Sequence, residues 1–368
     1  MDVVAFDLAD HNIRERYDRL FEACPAAFIQ QSSYWADVIK DLGPDKPIFL
    51  LCGDGGKDLG GLPLYLYEHR LGNILTSVPQ AGPLGGIFFR EGLSEREIDR
   101  VYASLLEKAK QLGEENHCLA LSIITNPFFQ DLALYQCHLS PTYEYENFTQ
   151  YIPLTEIIVD GEITLRDYNR RSNLSRNVRK AKAAGFSVGL CETDTEWDAW
   201  YQVHERRHWE LGISPLSPRL FENIRRVLGP RTKAHLLLVK REQEIASGCL
   251  YIRHCRVMDV FMLSMDAKFT DQVPNFLNTE HSLSWARKLG AETYNWQSSP
   301  DRASGVFGYK KQWGSAEASY SFVTKLFCRP EEIERIGLET IKREYAWHYV
   351  VPFAAFHEGF NKKNFRKA

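Results

Sequence analysis

Two short runs late in the chain hold the residues best suited to chemistry: Tyr294-Asn-Trp-Gln-Ser-Ser-Pro300 and Gly308-Tyr-Lys-Lys-Gln-Trp-Gly314. The first reads as a strand end and a polar turn, the second as a lysine-aromatic cluster. An ammonium group held among aromatic rings beside a strand terminus is placed to stabilise the oxyanion that forms when an amine attacks an ester or thioester carbonyl. Lys310 is the candidate for that acyl-transfer role, with Asn295, Gln297, Tyr309 and Trp313 as substrate contacts around it. The alternative is structural. Tyr309 and Trp313, four apart, would then form one face of a short amphipathic segment, with Lys310 and Lys311 as its solvated side.

A second chemical feature is the run from Arg166 to Lys182, ended by Gly185, with seven bases against one acid. Leu174, Val178 and Ala181 recur at helical spacing, so the run predicts a helix with a narrow apolar stripe and a basic remainder. Such a face can hold a diphosphate or an RNA backbone, Arg offering bidentate contacts. The competing reading is a solvated charged helix.

His204-Glu-Arg-Arg-His208 satisfies the zinc-peptidase pattern, with both histidines on one helix face and a glutamate to activate water. Two arginines at the intervening positions count against it, because a zinc-site helix packs on its core. The flanking Trp197, Trp200, Tyr201, Trp209 and Leu211 suggest an amphipathic helix instead, and no metal is expected.

The chain that must position these residues has 368 residues, 44% hydrophobic and 25% charged, which suggests two α/β domains rather than one. A net charge of −3 gives no global bias toward DNA or anionic membrane. The amino terminus carries acids where a signal peptide carries bases, and no long apolar run occurs, so a cytoplasmic protein is expected. Eight scattered cysteines without a Cys-x-x-Cys pair suggest reduced, buried thiols.

The two halves repeat one another in order. Leu50-Leu51-Cys52 and Leu59 to Leu66 predict a hairpin, and Leu236-Leu237-Leu238 and Ile245 to Ile252 predict the same hairpin again. Asp54-Gly-Gly56 and Gly60-Gly61 read as hairpin turns. Gly113 and Gly290 each close a helical pattern where a C-cap wants glycine. The expected division is 1–153, then 154–330 with the basic helix and Lys310, then a helical tail, 331–368. Its aromatic stretch from Trp347 to Phe365 and closing bases allow either a packed helix or contact with a membrane.

These pieces together resemble the Fem family of peptidoglycan-bridge aminoacyltransferases and related tandem GNAT-like acyltransferases. The resemblance covers most of the chain. It runs from Phe28-Ile-Gln-Gln-Ser-Ser-Tyr-Trp35, with Lys40 following, through Gly82-Pro-Leu-Gly-Gly86 and Arg176-Asn-Val-Arg-Lys-Ala181. It ends at Tyr309-Lys-Lys-Gln-Trp-Gly314, similar to the family's aromatic-Lys-x-x-aromatic-Gly signature. The resemblance implies two tandem GNAT-like domains with mixed central sheets. It implies transfer of an aminoacyl group from aminoacyl-tRNA to an amine of a UDP- or lipid-linked cell-wall precursor, without a resident cofactor. By the same resemblance Lys310 stabilises the transferred group, while Lys40 and Arg176 or Arg179 contact the acceptor's diphosphate. The long charged arm that some Fem enzymes insert is missing here.

Within the same fold an acyl-CoA-dependent N-acyltransferase acting on an amino sugar or peptide is the alternative. Such enzymes offer a glycine-rich helix start to the CoA pyrophosphate. Asp271-Gln-Val-Pro-Asn-Phe-Leu277 has no glycine there and loses a donor at Pro274. Arg302-Ala-Ser-Gly-Val-Phe-Gly308 is expected to be a loop over the site.

Overall fold

The computed structural model describes residues 1–77, 84–164, 173–345 and 365–367. They form two compact units, Met1–Phe148 with Ala318–Ala368, and Thr149–Glu317. Gly82 and Pro83 of the 82–86 motif, the start of the basic run at 165–172, and the tail at 346–364 lie outside the described residues.

The first unit opens with β1 (Asp2–Phe6), α1 (His11–Glu22), α2 (Ser33–Ile39), β2 (Lys46–Asp54), β3 (Lys57–Tyr67), β4 (Asn73–Thr76) and β5 (Phe88–Phe89). It continues with α3 (Glu95–Glu115), β6 (Cys118–Ile124), α4 (Leu132–Leu139) and the start of β7 (Tyr143–Pro153). β1, β2, β3 and β4 pair antiparallel and β4 pairs parallel with β6. Gly55 and Gly56, at φ +55° and +78°, make the two-residue turn of the β2–β3 hairpin. Ser94 and Glu97 form a capping box at the start of α3, whose Val101, Tyr102, Leu105, Leu106 and Ala109 enter the core on helical spacing.

Two glycine expectations fail here. Gly60 and Gly61 lie inside β3: a Cβ on Gly60 would meet Val101 at 2.4 Å, and one on Gly61 would meet the Phe88 ring at 2.6 Å. They are close-approach glycines, not a turn. Gly113 lies inside α3, which runs on to Glu115, and is a close-approach glycine too: a Cβ there would meet the Phe327 ring at 2.4 Å.

The second unit contains the end of β7, α5 (Leu154–Ile157), β8 (Ile158–Val159), β9 (Glu162–Ile163), α6 (Asn173–Ala183), β10 (Ser187–Leu190), α7 (Asp194–Glu210) and α8 (Pro218–Leu228). There follow β11 (Ala234–Arg241), β12 (Glu244–His254), β13 (Val257–Met265), α9 (Pro274–Lys288), β14 (Thr293–Gln297) and α10 (Gly305–Gln312). β10, β11, β12 and β13 pair antiparallel, β13 with β14 parallel, and β14 with β7 antiparallel, giving the expected mixed sheet. Gly290, at φ +87°, terminates α9 as expected. α6 buries Leu174, Val178 and Ala181, the stripe that its spacing predicts. The chain then follows β15 (Ala316–Leu326), whose Phe322–Leu326 segment pairs with β6 in the first unit, and ends its described helices with α11 (Pro330–Ile336) and α12 (Leu338–Glu344).

None of the eight cysteines forms a disulfide, but the expectation of buried thiols holds for half of them. Cys24, Cys52, Cys118 and Cys249 are buried, whereas Cys137 is exposed. No helix among the described residues is long and apolar enough to cross a membrane.

Candidate active site

β13 and β14 run side by side for only three rungs, ending at Asp259 opposite Asn295. Beyond that rung β13 follows β12 through a bulge to Met265, while β14 follows β7 through a register shift between Asn295 and Gln297. Two parallel strands that part in this way leave unpaired backbone at a split in the sheet. Gln297 sits at its lip in the left-handed region, φ +59°.

Lys310 reaches this lip from α10. Its Nζ donates to the carbonyls of Gln297 at 3.1 Å and Ser298 at 2.8 Å. The residue is only 7% exposed, which overturns the solvated-side alternative for Lys310, while Lys311 is exposed. Burial lowers the Lys310 pKa from its ordinary range to about 7. Backbone carbonyls, not aromatic rings, hold the amine. An ammonium has three N–H donors; the Gln297 and Ser298 carbonyls engage two of them.

The segment 302–308 is not the expected loop. Ser304 accepts from the backbone N–H of Phe307 as an N-cap and α10 begins at Gly305. The aromatic residues lock this helix down. Tyr309 donates to the Asn275 carbonyl at 3.1 Å, shares a 2.8 Å hydrogen bond with Thr279, and lies against Phe276 and Trp296. Trp313 is fully buried against Phe276. Asn295 is also fully buried, its Nδ2 donating to Asp259 at 2.6 Å and its Oδ1 accepting from Thr149 at 2.7 Å.

Lys310, Asn295, Gln297, Tyr309 and Trp313 thus come together in the second unit. Arg176 and Arg179 lie on the exposed face of α6, held by Asn173 Oδ1 at 2.6 Å and the Ser175 carbonyl at 3.2 Å respectively. Lys40 caps the C-terminal end of α2 in the first unit and is exposed. Sequence reasoning missed Asp259 and Gln150. Burial raises the Asp259 carboxyl to about 7, against the hydrogen bond from Asn295 that lowers it. Neither residue carries a motif, and an isolated polar residue between apolar strand positions was the one signal available.

The histidine pair on α7 belongs to the packing of its helix. His204 is fully buried, 3.1 Å from Ser264 Oγ, and burial pushes it down to about 4. His208 Nδ1 contacts the His204 carbonyl at 2.9 Å, and Glu205 is exposed. Among the described residues no third ligand-type side chain joins the pair. Trp197 and Trp200 pack inward as expected, but Trp209 and Leu211 are exposed.

Residues 168–311 match the family model for the acetyltransferase (GNAT) domain. A comparison with curated protein sequences finds no match. Among solved structures the chain is similar to FemX, at 16% identity and a TM-score of 0.67, over 88% of this chain and 97% of that one. It is similar to L-PGS from Bacillus licheniformis, at 13% identity and a TM-score of 0.56, over 92% and 98% of the two chains. A tandem GNAT protein from the clavulanic acid biosynthesis pathway gives 12% identity and a TM-score of 0.53, over 89% and 99%. At such identities these structures speak to fold alone: two tandem GNAT-like domains, as the Fem-like motifs implied. The domain match makes the chain an acyltransferase.

Proposed function

We propose that this acyltransferase moves an aminoacyl group from aminoacyl-tRNA to the amine of a UDP- or lipid-linked cell-wall precursor, with the Lys310 ammonium as oxyanion stabiliser. The observation that carries this reading is a buried cation at the lip of the β13–β14 split, fixed by two carbonyls with one donor left over. The acceptor amine attacks the ester carbonyl, the third N–H of Lys310 meets the oxygen that gains charge, and the ribose C–O bond breaks as the amide forms, the leaving ribose oxygen taking up the proton that the amine nitrogen loses. A low-dielectric setting strengthens that interaction. Arg176 and Arg179, exposed on α6, suit a polyphosphate portion of either substrate, and Lys40 is proposed as a contact of the first unit.

The sign of the pH dependence follows from the protonation state this role needs. The charged form is lost as pH rises through about 7, so the rate advantage of wild type over Lys310→Ala should be greatest on the acid side and fall through that midpoint. An advantage that instead grows through the same midpoint would make Lys310 a neutral base.

Incubation with charged, radiolabelled tRNA and UDP-MurNAc-pentapeptide tests donor and acceptor together. Label transferred to the precursor supports the reading. The Arg176→Glu, Arg179→Glu double variant should bind tRNA or precursor more weakly than wild type, with a shallower salt dependence. If acetyl-CoA alone raises the melting temperature of both proteins, the donor is an acyl-CoA. Against that donor, α9 starts with Pro274, which has no N–H, after Val273 in the left-handed region at φ +53°.

A further inference from the structure

The carbonyls that hold Lys310 belong to a short turn, and short turns next to a strand split have few neighbours to fix them. Two consecutive residues of β7 supply the missing support. Thr149 donates to Asn295 Oδ1 at 2.7 Å, and the Gln297 backbone N–H donates to the same oxygen at 3.3 Å. Asn295 is oriented in turn by Asp259, which accepts from its Nδ2. Gln150, the next residue along β7, accepts from Ser299 Oγ at 2.6 Å and donates to Ser315 Oγ at 3.1 Å and to the Phe307 carbonyl at 3.3 Å. Successive strand residues leave on opposite faces, so the pair reaches the turn from both sides.

The two amides divide the work. Asn295 fixes Gln297, whose carbonyl takes one Lys310 proton; Gln150 fixes Ser299, the neighbour of the second acceptor, and ties it to α10, which carries Lys310 itself. Gln150 and Asn295 are both fully buried with both ends of each amide engaged. A buried amide satisfied on every side is costly to move, because each broken bond leaves a desolvated group unpaired.

We infer that Gln150 and Asn295 are positioning residues for Lys310: together they set the Gln297–Ser298 carbonyls and the register of α10 against them, and so hold the amine at the split. They act through Lys310 and not on the substrate. The inference rests on the proposed role of Lys310, but its test reads the lysine directly and needs no substrate.

Competitive acetylation with acetic anhydride across a neutral-to-alkaline pH series, read peptide by peptide in a mass spectrometer, gives the titration midpoint and the reactivity of each lysine. In the wild-type protein Lys310 should react slowly with a midpoint near 7, while exposed Lys311 serves as internal reference. In Gln150→Ala and in Asn295→Ala the amine is released toward water, so its midpoint should rise by about one pH unit or more and its reactivity severalfold, with Lys311 unchanged. If a variant does not fold, Ser299→Ala and Thr149→Val each delete a single hydrogen bond and should shift the midpoint in the same direction by less. An unchanged Lys310 midpoint and reactivity in folded variants overturns the inference. Shifts as expected in a protein that transfers nothing from aminoacyl-tRNA would leave the inference standing and remove the donor assignment instead.

Discussion

Replacing Lys310 with alanine is expected to lower the transfer rate by about a hundredfold or more in a protein that remains folded. The side chain spends two N–H groups on carbonyls of its own chain, and in the proposed role the third contributes when charge develops on the substrate oxygen. Losses in kcat and kcat/KM should therefore be similar, the mark of an interaction made in the transition state. Folding should change little, since two lost hydrogen bonds are offset by release from the cost of burying a cation. Lys311→Ala, on the exposed side of the same helix, should keep a near wild-type rate. Equal activity in Lys310→Ala and Lys311→Ala would remove Lys310 from the mechanism.

The largest effect on stability is expected at Trp313. Its ring is fully buried at the end of α10 and packs in the core that also holds Tyr294, Trp296 and Leu277. Trp313→Ala removes that volume where the surroundings have no room to collapse, at a cost of about 3–5 kcal/mol. In a unit of this size that is a fall on the order of 10 °C in melting temperature. Because Trp313 anchors the helix bearing Lys310, activity should fall as well, even at temperatures where the variant is folded. A melting temperature equal to wild type would show that the ring contributes no core packing.

Much of this architecture is legible in the chain because its signals are local. The Asp54-Gly-Gly56 turn and the cap at Gly290 need only the left-handed backbone that glycine adopts freely, and both hairpins follow. Gly60, Gly61 and Gly113 answer a different demand, the approach of Phe88, Val101 or Phe327 from elsewhere in the unit, which no local pattern carries. Glycines also disguised α10, since Gly305 and Gly308 look like loop residues until Ser304 is seen to cap a helix pinned by Tyr309 and Trp313. The signature around Lys310 is visible in the sequence, but the burial of its side chain is not. That depends on where β14 leaves β13, and the buried polar residues near that point, Asp259, Asn295 and Gln150, are ordinary polar residues in sequence.

The first unit is discontinuous in sequence, and this bears on the order in which the protein is made. Thr149–Glu317 is one uninterrupted stretch, whereas Met1–Phe148 is completed only by residues from Ala318 onward. β6 pairs with β4 on one side and with Phe322–Leu326 of β15 on the other. During translation the N-terminal residues emerge first, yet β6 keeps an open edge until the ribosome has passed the whole second unit. The unit that holds Lys310 can therefore close while the first unit still waits for its last strand, and it is that waiting edge which a nascent chain must keep from pairing with another.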